Sequence, residues 1–159
     1  MPLLARDVMQ SRVVTVEPSL SATELEQLLD RERISGAPVV EGGRLIGVVS
    51  RADLVSAAAD AEDEAESLLA YYEDVAGAAP SRGARARLAG ERAASLRVRD
   101  LLQTELVSVA PDAPVQKVAA ALVERRIHRV LVVDGERLVG IVSSLDLVRL
   151  LAEGRVVEA

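Results

Sequence analysis

The chain contains one pattern twice, and this repeat limits its folds more than any other feature of the sequence. Shifted by 93 positions, residues 6–58 align with residues 99–151 without a gap. Of the 53 paired positions, 20 are identical, and many others exchange one aliphatic side chain for another. Such a match predicts two copies of one structural unit. A copy of this size buries its apolar side chains poorly when alone, so we expect the copies to pack together.

Each copy begins with a short apolar segment and an amphipathic helix. The apolar segments, 13–16 and 106–109, are each followed within two residues by Pro. In the first copy Ser21 and Glu24 have the spacing of a capping box. In the second, Pro114 suits the first helical turn. Helical spacing defines an apolar stripe in each copy, formed by Leu25, Leu28 and Leu29 in the first and by Val118, Ala121 and Leu122 in the second.

Two strands joined by a tight turn follow, and then a second helix. Gly42 and Gly135 lie at the turns, where glycine supplies the positive φ that a tight hairpin requires. The second helices are expected to begin just after Ser50 and Ser143. The sequence therefore predicts an α+β fold. It comprises two tandem β-α-β-β-α motifs packed around a pseudo-twofold axis, with a long helical insertion between them. A duplication that serves only structure is the alternative interpretation.

The segment between the copies, 59–95, is longer than a simple linker. Apolar residues from Leu54 to Val75 recur every three or four positions, which predicts one helix over about 52–76 with an acidic opposite face. Residues 77–83, including Pro80, are expected to end it. An arginine-rich stretch follows, containing Arg82, Arg85, Arg87, Arg92 and Arg97. Pairing of these arginines with the acidic helix, or solvation, is favoured over nucleic-acid binding.

Composition excludes several classes of function. The formal net charge is −6 and the two tyrosines are the only aromatic residues, so binding to polyanions or stacked bases is disfavoured. No cysteine is present, which excludes thiolate catalysis and thiolate metal sites. We find no signal peptide and no apolar run of about 18 residues. We therefore expect a cytoplasmic protein that binds neither membrane nor nucleic acid, and no metal site.

One motif in both copies carries the candidate chemistry. It occupies 47–53 and again 140–146, and its order is Gly, two aliphatic residues, Ser, two further residues and Asp. At the start of a helix the Ser can act as the cap, and backbone N–H groups there can bind an anion. The Asp lies beside the Ser on the first turn, where its carboxylate can accept hydrogen bonds from two adjacent hydroxyls. A plain helix cap is the alternative, and both interpretations can hold at once.

The repeats resemble the CBS motif, and the chain resembles a CBS-pair (Bateman) module. The first copy carries this resemblance in Arg-Asp-Val-Met at 6–9, Ile-Ser-Gly-Ala-Pro-Val-Val at 34–40 and Leu-Ile-Gly-Val-Val-Ser-Arg-Ala-Asp-Leu at 45–54. The second carries it in Ile-His-Arg-Val-Leu-Val-Val-Asp at 127–134 and Leu-Val-Gly-Ile-Val-Ser-Ser-Leu-Asp-Leu at 138–147. We accordingly divide the chain into motif 1 (1–58), a connecting segment (59–95) and motif 2 (96–159).

The resemblance also implies a binding site for an adenine nucleotide in the cleft between the motifs. It assigns ribose contacts to Asp53 and Asp146, and ribose or phosphate contacts to Ser50 and Ser143. The base is expected near the start of each copy, against Val14, Thr15, Val16, Ala37 and Pro38 in the first and Val107, Ser108 and Val109 in the second. For the side chains of the 14–16 and 107–109 stretches a core role is favoured, and for their backbone a ligand role.

His128 is the only histidine, and it precedes Arg129. The pair resembles the His-Arg pairs of the γ subunit of AMP-activated protein kinase, which implies phosphate contacts for both residues. A structural role for His128 is the equal alternative. The first copy has Ser35 and Gly36 at the matching positions and therefore lacks these cations. We expect the two sites to differ, one preferring phosphates and the other binding weakly, binding an uncharged adenosyl group or staying empty.

These features favour a regulatory module over an enzyme. The expected ligand is AMP, ADP, ATP or S-adenosylmethionine, held as a regulatory ligand and not as a cofactor. The resemblance also implies a homodimer and an unidentified regulated protein. A structural or interaction module without a ligand is the second hypothesis. An enzyme is the third, and the sequence contains no P-loop, HExxH or nucleophile elbow.

Overall fold

The helices and strands follow the order that the repeat predicts. In the computed structural model, residues 2–77 and 81–155 are described. The first copy and the connecting segment contain α1 (Ala5–Val8), α2 (Ala22–Glu32), β1 (Gly36–Glu41), β2 (Arg44–Ser50), α3 (Arg51–Ala76) and α4 (Arg82–Ser95). The second copy contains α5 (Val98–Leu101), β3 (Ser108–Val109), α6 (Val115–Arg125), β4 (Arg129–Asp134), β5 (Arg137–Ser143) and α7 (Ser144–Ala152). The mixed α+β content and the tandem motifs are as predicted.

The amphipathic helices α2 and α6 begin and end as their sequences indicate. Ser21 and Glu24 form the predicted capping box of α2, and their hydrogen bonds lower the pKa of Glu24. Pro114 is the N-cap of α6, one residue before the helix. Both helices end on a left-handed arginine, Arg33 or Arg126. The predicted stripes face the two cores, since Leu25, Leu29, Val118 and Leu122 are buried and Leu28 and Ala121 are partly buried.

The predicted hairpins are present, but the first strand of each copy is shorter than expected. Gly42 and Gly135 have positive φ at the turns. The segment 13–16 contributes one parallel bridge, from Val16 to Val39. The segment 106–109 contributes the two-residue β3, which pairs with β4 in parallel. In the first copy the chain up to Val14 belongs to a different compact unit from Thr15, so only the end of the segment can pair with β1.

The two compact units cross the boundaries of the sequence repeat. The Asp53 unit contains Thr15–Val40 and Ile46–Thr104. The Asp146 unit contains Met1–Val14, Glu41–Leu45 and Glu105–Ala159. Each unit therefore includes the short helix at the start of the other repeat, α5 in the Asp53 unit and α1 in the Asp146 unit. The tip of the first hairpin also belongs to the Asp146 unit, where Leu45 N–H donates to the Glu136 carbonyl at 2.9 Å.

Within the Asp146 unit, α1 and the residues that follow it as far as Gln10 form an arm, which is held by backbone hydrogen bonds at both ends. Ala5 N–H donates to the Ala113 carbonyl at 2.8 Å, just before α6. Gln10 exchanges two hydrogen bonds with Ile141 of β5, at 2.8 and 3.0 Å. The Ala5 side chain is fully buried in the core with Val130 and Val142. The arm is therefore an integral part of this unit's sheet and core.

Within the Asp53 unit, the arm that carries α5 repeats this plan. Val98 N–H donates to the Leu20 carbonyl at 2.8 Å, just before α2. Gln103 exchanges two hydrogen bonds with Val48 of β2, at 2.8 and 2.9 Å. Val98 lies in the core with Val39 and Val49. The repeated pattern of residues thus encodes two repeated docking sites for an arm.

The glycine of the repeated motif is explained by these arms. A Cβ at Gly47 would lie 2.7 Å from the Gln103 carbonyl oxygen and 2.7 Å from Cδ1 of Leu102. A Cβ at Gly140 would overlap the Met9 side chain and lie 3.1 Å from the Gln10 carbonyl oxygen. A side chain at Gly47 would therefore push the arm away from the strand, whereas one at Gly140 would first displace the Met9 side chain.

The helix predicted over about 52–76 corresponds to α3, which forms a hairpin with α4. Ala61 and Ala65 of its predicted apolar stripe are buried, whereas Val75 is exposed. Pro80 of the predicted break lies outside the described residues, as does the side chain of Tyr72. Arg85 pairs with Glu66 at 2.5 Å, and Arg92 pairs with Glu64. The arginine-rich stretch thus lies partly on α4 and pairs with the acidic face of α3. None of the helices in 2–77 and 81–155 is long and apolar enough to cross a membrane.

Candidate functional site

The spacing of Ser and Asp, which is the same in both repeats, produces a closed hydrogen-bonded corner in the Asp146 unit. Ser143, the N-cap of α7, donates its backbone N–H and its hydroxyl to Oδ2 of Asp146, both at 2.8 Å. Asp146 N–H donates back to Oγ of Ser143 at 3.2 Å. The amide Nε2 of Gln10 donates to the other carboxylate oxygen, Oδ1, at 3.0 Å. We call Ser143, Asp146 and Gln10 the Asp146 corner.

The Asp53 unit contains the matching arrangement. Ser50 donates its N–H and hydroxyl to Oδ2 of Asp53 at 2.8 and 3.0 Å. Asp53 N–H donates to Oγ of Ser50 at 3.4 Å. Nε2 of Gln103 donates to Oδ1 of Asp53 at 3.1 Å. Ser50, Asp53 and Gln103 form the Asp53 corner. The helix-cap interpretation of the motif is therefore realised in both repeats.

The two corners differ in burial. Asp146 is buried, with 8% of its surface exposed, whereas Asp53 is half-buried. Burial by itself raises the pKa of Asp146, but hydrogen bonds from Ser143 and Gln10, together with the charge of Arg149, lower that pKa below its ordinary value. Asp146 is therefore ionised at neutral pH and held in one orientation, which suits a carboxylate that accepts hydroxyl hydrogen bonds.

At the starts of α3 and α7, several backbone N–H groups that the sequence offers for binding an anion already donate to other groups of the protein. Ser144 N–H donates to the carbonyl of His128 at 2.9 Å, and Arg51 N–H donates to the carbonyl of Ser35 at 2.9 Å. The N–H groups of Asp146 and Asp53 are taken by the cap serines. An anion at either helix would therefore rely mainly on side chains for its contacts.

His128 and Arg129 are both exposed, and the pairing of β4 with β5 brings their backbone beside Ser143 of the Asp146 corner. The carbonyl of His128 holds the first N–H of α7, so the backbone of this residue is structural while its side chain remains exposed. Arg129 begins β4, opposite Ser143 of β5. The structure therefore brings Arg129 to the strand position paired with the cap serine of the Asp146 corner.

The expected base-binding residues divide between core and surface. Val16, Ala37 and Val109 have buried side chains in the two cores, and Pro38 is also buried. Val14 and Val107 are half-buried. Thr15 and Ser108, which match each other in the repeat, are exposed. Within the stretches 14–16 and 107–109, the core interpretation thus applies to Val16 and Val109, and in part to Val107, which packs against the core.

The sheets also use part of the backbone that was expected to bind a ligand. Val16 N–H donates to the Pro38 carbonyl at 3.0 Å, and its carbonyl accepts from Val40 N–H at 2.9 Å. The Val107 carbonyl accepts from Leu131 N–H at 3.2 Å. Because neighbouring residues of a strand face opposite ways, the backbone groups of Thr15 and Ser108 point away from β1 and β4. These two residues remain the best candidates for backbone contacts to a base.

Sequence reasoning did not assign Gln10 and Gln103 to the site. Their identity in both copies was visible, and their positions within the arms match at the repeat offset. Nothing in the sequence, however, indicates that Gln10 joins the corner of the second repeat and Gln103 the corner of the first. That placement depends on the long-range pairing of each arm with β5 or β2.

A protein-family model for the CBS domain matches the chain twice, over residues 5–60 and 98–153. The chain belongs to the CBS domain family. Both matched segments include one Ser–Asp corner motif, and the second also includes His128 and Arg129. Within the described residues, no group of three or more His, Asp or Glu side chains is arranged to hold a metal ion.

Curated relatives of this CBS pair differ widely in length. The chain is 27% identical over 150 residues to the A-adding tRNA nucleotidyltransferase of Geobacter sulfurreducens, covering 94% of this chain and 14% of that protein. It is 26% identical over 142 residues to the CBS domain-containing protein YhcV of Bacillus subtilis, covering 89% and 81%. The chain therefore spans a small fraction of the first relative and most of the second.

Solved CBS-pair structures share the fold. CBSX2 in complex with AMP is 23% identical with a TM-score of 0.69, and the match covers 96% of this chain and 98% of that one. The CBS domain pair of MJ0100, in complex with 5′-methylthioadenosine and S-adenosyl-L-methionine, is 21% identical with a TM-score of 0.63, covering 97% and 99%. At these identities the likeness establishes the tandem CBS fold.

Proposed function

We propose that this CBS pair is a regulatory module that binds an adenine nucleotide or an adenosyl compound at its Asp53 and Asp146 corners. The observation that carries the proposal is the Asp146 corner. A buried, ionised carboxylate is fixed at a helix N-terminus, and its Oδ1 accepts only the Gln10 amide among the described hydrogen bonds. A ribose diol presents two adjacent donors to such a group.

The structures of fold relatives support the same ligand class. CBSX2 is described with AMP, and the CBS pair of MJ0100 with 5′-methylthioadenosine and S-adenosyl-L-methionine. These ligands share an adenosine-derived group, whereas their 5′ substituents differ in charge. In our proposal the Asp53 and Asp146 corners recognise the ribose, Thr15 and Ser108 offer backbone contacts to the base, and His128 with Arg129 favours a phosphate at the Asp146 corner.

Regulation would follow from differential binding. A ligand that stabilises one conformation of the module shifts its population, and a partner protein that recognises this conformation responds. The proposal includes a cytoplasmic homodimer without catalytic activity. On α7, Leu145, Val148 and Leu151 are all exposed, which provides an apolar helix face for such contacts. Sedimentation equilibrium with and without nucleotide tests the dimer.

The deciding experiment compares ligands and corners. A thermal-shift panel of AMP, ADP, ATP, S-adenosylmethionine and GMP identifies the ligand class, and calorimetry then measures its affinity. Because a hydrogen bond to a charged group contributes about 1.5–3 kcal/mol, Asp146→Ala should weaken binding at its corner by about 10- to 150-fold. Glu124→Ala, at an exposed position of α6 in the same unit, is the matched control and should bind normally.

A module without a ligand is the second candidate function, and one observation favours it. Both corners already form complete helix caps, so each Ser and Asp has a structural role without a nucleotide. On this alternative, millimolar adenosine compounds would leave the melting temperature unchanged. Stabilisation by GMP but by no adenosine compound would instead reject the adenine assignment.

A further inference from the structure

The hydrogen bonds of each corner leave little room for a ribose diol. A carboxylate has about four acceptor positions on its two oxygens. In the Asp146 corner three are used, by the N–H and hydroxyl of Ser143 at Oδ2 and by the amide of Gln10 at Oδ1. The same three kinds of donor occupy Asp53. A diol brings two donors to one vacant position, so one existing hydrogen bond must break when both hydroxyls bind the carboxylate.

The three donors differ in how easily they can leave. The N–H of Ser143 belongs to the N-cap of α7 and is fixed by the helix. Oγ of Ser143 also accepts from Asp146 N–H, which holds it beside Oδ2, so turning the hydroxyl hydrogen away would leave Oγ blocking that acceptor position. Gln10 is exposed and has a long side chain, so its amide can donate to water when it leaves the carboxylate. The glutamine amide is therefore the donor whose departure costs least.

We propose that Gln10 and Gln103 set the affinity and sugar selectivity of the two corners, because each glutamine amide competes with a ribose diol for Oδ1 of its aspartate. This inference rests on the proposed function and names the residues that tune it. Each glutamine enters its corner from the arm at the start of the other repeat. The competition thus links occupancy of one repeat's corner to a side chain contributed by the other repeat.

The competition predicts that the glutamine weakens the binding only of nucleotides that carry both ribose hydroxyls. AMP presents two hydroxyls and must displace the amide. By contrast, 2′-deoxy-AMP presents one, which the vacant acceptor position can take without displacement. Removing the amide should therefore improve the binding of AMP and leave the binding of 2′-deoxy-AMP nearly unchanged.

The test measures both nucleotides by calorimetry on the full chain, in an Asp53→Ala background so that only the Asp146 corner keeps its carboxylate. Gln10→Met preserves side-chain length and removes the donor. We expect the ratio of AMP affinity to 2′-deoxy-AMP affinity to rise about 2- to 12-fold, the range that corresponds to the net contribution of one hydrogen bond whose donor is free to bond to water. Gln116→Met, at an exposed position of α6, is the matched control and should leave the ratio unchanged.

The ratio also separates this inference from the proposed function. A general disturbance of the fold would weaken both nucleotides and cancel in the ratio. If both nucleotides bind but the ratio for Gln10→Met equals or falls below the wild-type ratio, the competition is overturned while the proposed function stands. In the wild-type complex the Gln10 amide would then stay on Asp146 or contact the ligand. If neither AMP nor 2′-deoxy-AMP binds the wild-type chain or Gln10→Met at millimolar concentration, this inference is overturned. The proposed function is rejected as well only if ADP, ATP and S-adenosylmethionine also fail to bind the wild-type chain.

Discussion

The Asp53 and Asp146 units use one hydrogen-bonding plan in two environments. In both, a cap serine, an aspartate and an arm glutamine form a corner with nearly equal distances. The aspartate is buried in one unit and half-buried in the other. The helix after the corner has 26 residues in the Asp53 unit and 9 in the Asp146 unit. The identical positions of the repeat therefore preserve the corner, while the divergent positions change what surrounds it.

The surroundings suggest a division of labour. The Asp146 unit has His128 and Arg129 near its corner, whereas the Asp53 unit has Ser35 and Gly36 at the matching positions. The Asp53 unit instead extends its helix into the α3–α4 hairpin. A duplicated motif can thus keep one hydrogen-bonded corner in both copies, while the charged residues and added helices around it differ between the copies. The following predictions test how far the two units behave alike.

The largest expected effect comes from adding a methyl group where an arm crosses its strand. In the Asp53 unit, the Cβ of Gly47→Ala would lie 2.7 Å from a backbone oxygen of Gln103, which cannot move alone. In the Asp146 unit, the Cβ of Gly140→Ala would meet mainly the flexible side chain of Met9. We expect a loss of about 3 kcal/mol in the free energy of unfolding for Gly47→Ala and about 1–2 kcal/mol for Gly140→Ala.

Urea denaturation measures both losses, and hydrogen exchange locates them. Gly90→Ala is the control, because its Cβ would meet no atom within 4 Å on α4, where alanine favours the helix. Protection should fall at Val48 and Gln103 in Gly47→Ala, and at Ile141 and Gln10 in Gly140→Ala. Equal losses in the two variants would show that the arms are docked with the same rigidity, contrary to the geometry.

The next effect concerns acid. The pKa of Asp146 is lowered on folding, so at acid pH the unfolded chain binds a proton at this residue more readily than the folded chain. The resulting stabilisation is fully present above the ordinary carboxyl pKa of 3.8 and is lost as pH falls through the lower folded value. The wild-type protein should therefore lose more stability between about pH 5 and pH 2 than Asp146→Asn.

Urea denaturation at several pH values compares the two proteins, and an NMR titration of the Asp146 carboxylate measures its pKa directly. The Asn variant removes the titrating group while keeping the shape of the side chain. An equal acid-induced loss in both proteins, or a pKa for Asp146 above 3.8, would contradict the hydrogen-bonding account of the corner.

The corner shows which parts of the structure could be predicted from sequence. Local signals were sufficient for the capping boxes of Ser50 and Ser143, the glycine turns and the start of α3, because each depends on residues within a few positions. The repeat was sufficient for the tandem fold. The Gln10–Asp146 contact, by contrast, joins residues 136 positions apart. No local propensity indicates such a contact, and the repeat alone suggested that each arm belongs with its own copy.

Strand length illustrates the same limit. The apolar segment 13–16 has the composition of a strand, yet only Val16 pairs with β1. Val14 is assigned to the other compact unit, so the chain leaves the sheet where β propensity alone would continue it. The helix over about 52–76 was easier to predict, since its apolar stripe continues over about six turns and Gly77 ends it with a positive φ.

A smaller effect is expected from the α3–α4 hairpin, which the Asp146 unit lacks. Arg85→Gln and Arg92→Gln each remove one ion pair with α3. Because these pairs are exposed, each change should cost only about 0.2–1 kcal/mol and less at high salt. Hydrogen exchange should show the loss in α4 and not in α7. Arg87→Gln, at an exposed position of α4, is the control, and an equal cost there would indicate that charge alone, without pairing, stabilises the hairpin.

The smallest effect would make the Asp53 unit resemble the Asp146 unit. Ser35 is exposed and uses its backbone carbonyl to hold α3, so Ser35→His adds an imidazole without disturbing the cap. Gly36→Arg would not serve, because its Cβ would lie 2.8 Å from the Val49 carbonyl oxygen. In an Asp146→Ala background, the His variant should bind AMP about 2- to 5-fold more tightly near pH 6 and equally at pH 8, since an exposed histidine loses its charge between them.

His128→Ser, measured in an Asp53→Ala background, is the reciprocal change and should weaken AMP binding by a similar factor. Adenosine serves as the ligand control in both experiments, because it has the same base and ribose but no phosphate for the imidazole to contact. If Ser35→His strengthened adenosine and AMP equally, the histidine would act through packing, and the difference in charge between the two repeats would not explain a difference in their ligands.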